Sequence, residues 1–214
     1  MQVTRIIAIR HGETAWNAES RLQGQIDVPL NALGRAQAAT LAEALHGEGL
    51  AAVVSSDLGR AWQTALALAG PLGLPLSANP GLRERGFGVL EGLTYAEIDS
   101  QQPAMARRWR HREPDFEPEG GESLVRFSAR CLATAEQLAA AHTGQAVALV
   151  CHGGVLDCLY RAAARIPLDL PRTWVLGNAG INRLLWTPQG WARVGWDDRR
   201  HLDKLAPAGD DSTA

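Results

Sequence analysis

Apolar residues along this chain follow two patterns in alternation. Val3 to Ile9, Ala51 to Ser55 and Ala146 to Val150 are short, nearly continuous apolar runs. Runs of that length predict strands covered on both faces. Between them the spacing is helical. After Asn31, a residue suited to capping a helix, Leu33, Ala36, Leu41, Ala44 and Leu45 share a face, and Gly47 and Gly49 end the pattern. Asp57 is expected to cap a helix running to about Leu68, stopped by Gly70-Pro71. Leu124, Phe127, Cys131, Ala135 and Leu138 predict several helical turns after Gly120-Gly121-Glu122-Ser123. Another helix is expected from Gly154 to Arg165, before Pro167. Ile181 to Trp186 and Trp191 to Trp196 read as a terminal strand pair around Pro188-Gln189-Gly190.

Strands alternating with helices imply a three-layer α/β/α sandwich around a mostly parallel central sheet. Residues 1–204 are expected to form one domain. The stretch 101–121, with Pro103, Pro114 and Pro118, reads as an irregular, cap-like excursion over one end of the sheet. Residues 205–214 are polar and expected to be disordered.

Composition narrows the function classes. A hydrophobic share of 46% with 21% charged residues is globular, not disordered. A net charge of −2 supplies no overall basic field for nucleic acid. Three cysteines cannot make a disulfide framework, and the odd count favours a reducing compartment. The apolar run before Arg10 is too short for a signal-peptide core or a membrane span. A cytoplasmic protein without nucleic-acid or membrane partners is expected, its oligomeric state, monomer or homodimer, left open.

In open α/β sheets ligands bind at the carboxyl ends of strands. Two histidines stand there, each before glycine: Arg10-His11-Gly12 after the first strand and Cys151-His152-Gly153 after the third. The second strand leads through Ser55-Ser56-Asp57 to Arg60 in the first turn of a helix. Two imidazoles and two guanidiniums near one point, beside helix N-termini, suit a phosphoryl dianion. A metal site is disfavoured, because no carboxylate accompanies the histidines at ligand spacing and guanidiniums would repel a cation.

Six stretches carry a resemblance. They are Arg-His-Gly-Glu-Thr-Ala-Trp-Asn (10 to 17), Arg-Leu-Gln-Gly-Gln-Ile-Asp-Val-Pro-Leu (21 to 30), Ser-Asp-Leu-Gly-Arg-Ala-Trp-Gln-Thr-Ala (56 to 65), Leu-Arg-Glu-Arg-Gly-Phe-Gly-Val-Leu-Glu-Gly (82 to 92), Gly-Gly-Glu-Ser (120 to 123) and His-Gly-Gly (152 to 154). In this order the chain resembles the histidine phosphatase superfamily, the branch of cofactor-dependent phosphoglycerate mutases and their small phosphatase relatives. The resemblance implies that His11 is the nucleophile, and that Arg10, Arg60 and His152 hold the non-bridging oxygens of a phosphoryl group. It implies that Asn17 and the Gly153 amide are further donors, and that Arg21, Gln23 and Gly24 form a substrate-side loop. Glu84 matches the proton donor to the leaving oxygen, although Arg83-Glu84-Arg85 alone reads as a charged surface turn. Cys151 replaces a frequent serine and is expected only to pack. The expected activity is a phosphomonoesterase on a small phosphorylated metabolite, with neither metal nor cofactor. Phosphoglycerate mutase is the alternative, and a non-catalytic phosphate-binding module a poorer one. Hydrolysis is favoured because the segment between Glu84 and Gly120 lacks the long insertion of larger mutases. The basic run Arg107 to Arg112 is read either as a solvated face or as a contact for a second anionic group.

Overall fold

The computed structural model describes residues 2–205, so the expected disordered tail lies, from residue 206 on, outside the described residues. Its strands are β1 (Thr4–Arg10), β2 (Leu50–Ser55), β3 (Leu76–Ala78), β4 (Ala146–Cys151), β5 (Ile181–Thr187) and β6 (Gly190–Asp198). Its helices are α1 (Ala15–Ala18), α2 (Ala32–Ala39), α3 (Leu41–Leu45), α4 (Gly59–Leu72), α5 (Tyr95–Gln101), α6 (Pro103–Arg110), α7 (Leu124–Ala141) and α8 (Gly153–Ala164). The six strands form one sheet in the order β3-β2-β4-β1-β5-β6. Strands β3, β2, β4 and β1 are parallel, and β5 runs antiparallel to both its neighbours.

Side chains of the central strands alternate between two cores, as a pleated sheet covered on both faces requires. Ile6, Ala8, Val147, Leu149 and Cys151 pack against α7 and α8. Ile7, Ile9, Val53, Ala148 and Val150 pack against α3 and α4. This is the three-layer arrangement expected. A third, small core of Leu22, Leu90, Ile98 and Ala106 lies under α5 and α6. The β1–β4 register sets Arg10 opposite Cys151, so His11 and His152 leave adjacent strand ends side by side.

Several boundaries differ from the sequence reading. The helix after Asn31 breaks at Thr40, whose hydroxyl bonds the Gln37 carbonyl at 2.9 Å and competes with the backbone ladder. Pro71 does not stop α4. It lies in the last turn, and the left-handed Gly73 ends the helix with its N–H on Gly70 O. Asp57 does not cap α4 either. The extended N-cap position belongs to Leu58, and Asp27, from a distant loop, accepts the Gly59 N–H at 2.7 Å. Asp57 instead receives both arms of Arg83. The excursion 101–121 is not irregular throughout, because Pro103 opens α6 at a position where its missing N–H costs nothing. Strand β3 was not foreseen, since three residues carry no periodicity.

Candidate active site

Residues leaving β1, β2 and β4 meet at one end of the sheet. His11 is 2% exposed and His152 fully buried, with ring centroids 5.1 Å apart. His11 Nδ1 lies 2.7 Å from Gly12 O. A carbonyl oxygen only accepts, so Nδ1 carries the proton and Nε2 keeps its lone pair. The turn is held from below by α2 and α4: Gly12 N–H donates to Thr64 Oγ1, and Gly12 and Gly34 touch so closely that a Cβ on either would collide with backbone. His152 Nε2 bonds Ser56 Oγ at 2.8 Å, and its Nδ1 has no partner.

Arg60, 1% exposed in the first turn of α4, donates Nη1 to Ile26 O and Nη2 to Gly24 O. Loop 21–30 thus grips this guanidinium while Asp27 caps its helix. Arg10 donates Nη1 to Leu176 O. Nε of Arg10 and Nε of Arg60 are buried without partners among the described residues. Burial pushes Arg60 down to about 10 and lowers Arg10, and both remain cations at neutral pH. Burial, then the charges of Arg60 and Arg10, hold His11 well below its ordinary value. His152 is lowered in the same way, by burial first and then by Arg60 and His11. The result is a neutral imidazole lone pair among buried N–H donors that lack acceptors. Such donors are costly unless an anion arrives. The N-terminus of α8 adds the Gly153 N–H, which has no acceptor within its helix.

Glu84 is no surface ion pair. Its Oε2 accepts the Gly154 N–H at 2.9 Å and its Oε1 the Arg85 N–H at 2.8 Å. Gly154 must lack a side chain for this approach, because a Cβ there would collide with Glu84 Oε1 and stand 2.9 Å from the Phe127 ring. The flanking arginines point elsewhere: Arg83 to Asp57, and Arg85 to the carbonyls of Glu122 and Phe116. Arg130 and Glu122, paired at 2.7 Å, anchor the turn through Arg83 O and Gly86 N. Neither had been singled out. The Gly-Gly-Glu-Ser stretch was visible, but only the fold gives Glu122 its task.

A cavity of about 450 Å³ opens above these groups. Of the expected residues Arg10, His11, Asn17, Arg21, Gln23, Gly24, Arg60, Glu84 and Gly153 line it, while His152 stands behind His11. Asn17 closes a capping box with Thr14 and accepts from Asn178, which leaves its NH₂ group as a donor. Arg21 is committed to protein acceptors, Gly92 O, Glu97 and Glu19. The basic run of α6 divides. Arg108 and Arg110 pair with Glu113 and Asp99, whereas Trp109 and Arg112 reach the cavity. Arg112 is tied to Asp157 at 2.8 Å and to Leu168 O. The segment 166–180 was missed altogether. Leu176 O holds Arg10, Asn178 holds the His11 carbonyl, and Arg172 and Trp174 face the cavity. Cys151 is buried in the sheet, as expected of a packing residue.

No helix among the described residues is long and apolar enough to cross a membrane. A family model described as the histidine phosphatase superfamily (branch 1) matches residues 6–199. The metal-independent phosphoserine phosphatase of Arabidopsis thaliana is 38% identical, covering 95% of this chain and 85% of its own. The probable phosphoglycerate mutase GpmB of Yersinia pestis is 36% identical, with coverages of 94% and 96%. The solved structure of a mycobacterial glucosyl-3-phosphoglycerate phosphatase complexed with VO3 superposes with a TM-score of 0.81 at 36% identity, over 90% of this chain and 98% of that one. The motif order, the paired strand-end histidines and these matches agree, and the chain belongs to branch 1 of the histidine phosphatase superfamily.

Proposed function

We propose that this chain is a cytoplasmic, metal-independent phosphomonoesterase working through a phosphohistidine. The observation that carries the reading is the His11 Nε2 lone pair, fixed by the Nδ1–Gly12 bond, beside the unpartnered Nε–H groups of Arg10 and Arg60 and next to the buried His152 ring. His11 Nε2 attacks phosphorus as the bond to the ester oxygen breaks, and a protonated Glu84 gives its proton to that oxygen. The Glu84 carboxylate then takes a proton from water, whose oxygen displaces His11 and releases inorganic phosphate. Guanidiniums supply the positive charge that a metal would otherwise provide, and the vanadate-type complex of the mycobacterial relative supports an oxyanion site. Phosphoserine and glucosyl-3-phosphoglycerate, which name two relatives' substrates, both join a phosphate ester to a carboxylate, and a small acidic phosphate ester is the substrate class we assign.

The test combines a substrate panel with trapping of the intermediate. Wild-type protein, with a chelator present, should release phosphate and carry acid-labile label on His11. His11→Ala should lose several orders of magnitude in turnover and all labelling. Restoration of activity only by a divalent ion, or label retained in His11→Ala, would overturn the mechanism. The mutase reading is favoured by the relative named for that reaction. Rapid formation of 2-phosphoglycerate from 3-phosphoglycerate primed with 2,3-bisphosphoglycerate, with negligible free phosphate, would establish it instead.

A further inference from the structure

The cavity carries more positive charge than a phosphate monoester uses. Six arginines and two carboxylates, Glu84 and Asp157, line it. Arg21 is offset by Glu19 and Glu97, which leaves five guanidiniums against two carboxylates, a formal excess of three. A phosphate dianion neutralises two of these, and at least one remains, more when Glu84 carries the proton that the reaction requires.

The candidates for that last charge differ in how far they are already engaged. Arg10, Arg60, Arg85 and Arg112 each donate to protein carbonyls or carboxylates. Arg172 makes no hydrogen bond or salt bridge with any other described residue and is solvent-exposed at the cavity wall. It lies close enough to Arg10 and Arg112 for its charge to depress the pKa of both. Two residues further on, Trp174 Nε1 is buried and has no acceptor among the described residues. The indole is held rigidly, stacked on Tyr160 at 4.0 Å with the Arg161 guanidinium 4.8 Å from its ring centre. The segment is also moored to the phosphate end, since Leu176 O holds Arg10 and Asn178 holds the His11 carbonyl. Guanidinium and indole N–H only donate, so a group that satisfies them is an acceptor, and the positive charge selects an anionic one. A carboxylate fits, and it removes the residual charge.

We propose that segment 166–180, through Arg172 and Trp174 Nε1, is the receptor for a carboxylate on the leaving alcohol and sets the enzyme's preference for acidic phosphate esters. The arginines of 107–112 do not serve this purpose, because their guanidiniums are exposed or tied to Asp99, Glu113 and Asp157. The assignment rests on the proposed function for its choice of substrate, so its test is one of binding. Calorimetry in a His11→Ala background, which keeps esters intact, compares 3-phosphoglycerate with glycerol 3-phosphate, which carries CH₂OH in place of the carboxylate. The parent should prefer the acid by about tenfold or more, as one charge-assisted contact provides. Adding Arg172→Ala should bring that ratio close to one, Arg172→Lys should restore part of it, and Trp174→Phe, which keeps the ring but removes its N–H, should reduce it several-fold. A parent without preference, failure of both ligands to bind, or a ratio unchanged by Arg172→Ala overturns the assignment. An Arg172-dependent preference in a protein that hydrolyses no ester would sink the hydrolase reading and leave this one standing.

Discussion

At the scale of single residues the site depends on protonation and on one missing methyl group. Burial and the neighbouring guanidiniums lower His11 and His152 in the folded protein, whereas the unfolded chain protonates them near the ordinary value of about 6.5. Below that pH the unfolded state binds protons that the folded state refuses, so stability falls as pH drops, by up to about 1.4 kcal/mol per unit for each imidazole. Urea unfolding at pH 7, 6 and 5 should show this slope, and His152→Gln should make it shallower. Equal stability across that range would contradict it. Gly154→Ala should drive Glu84 from its amide cradle, because the new Cβ meets the carboxylate. The expected cost in kcat is ~100-fold or more with alkyl phosphates and less with nitrophenyl phosphate, whose leaving group needs little protonation. Identical losses with both esters would assign Glu84 a positioning role. These residues were legible from sequence because strand-end His-Gly pairs are local. Glu84 was legible only through its resemblance, since nothing in Arg83-Glu84-Arg85 announces that both arginines turn away.

The elements around the site are joined by contacts between distant segments, and here the sequence said least. Asp27 caps α4 across 32 residues, Arg130 of α7 anchors the Glu84 turn, and Arg112 at the end of α6 locks onto Asp157 of α8. Each partner is a charged residue and contributes nothing to the apolar period of its segment, so a reading built on hydrophobic periodicity passes over it. For the same reason α6 lies in a stretch the sequence reading made irregular: Pro103 suggested a break, while the short apolar face around Ala106 completes a core only against Leu22, Leu90 and Ile98. The Arg112–Asp157–Arg161 cluster carries a direct expectation. Asp157 is 5% exposed and Arg161 2%, and Asp157→Ala leaves the guanidiniums of Arg112 and Arg161 without this counter-charge. A loss of about 3 kcal/mol is expected, read from the urea midpoint. A loss below about 1 kcal/mol would mean that water already screens the cluster.

For the whole molecule, the sheet order and the covered faces were legible in outline, because buried runs and helical spacing are averaged over many residues. Which groups remain unsatisfied is decided only when all three layers close. Among the described residues Arg10 Nε and Arg60 Nε find no acceptor and His152 Nδ1 no partner. The native state therefore holds a tension that folding alone does not relieve and that a tetrahedral oxyanion does. Under the proposed function, ligand and folding equilibria are linked through that tension, because phosphate would meet the assembled cluster and has no counterpart site in the unfolded chain. Inorganic phosphate should raise the melting temperature progressively, by about 2.7 kcal/mol of added stability at a hundred times its dissociation constant. Arg60→Ala should abolish the shift, and a melting temperature indifferent to phosphate would refute the linkage. Under the same proposal the reaction product competes for the groups assigned to substrate, and the protein's endurance and its throughput are expected to respond to free phosphate in opposite directions.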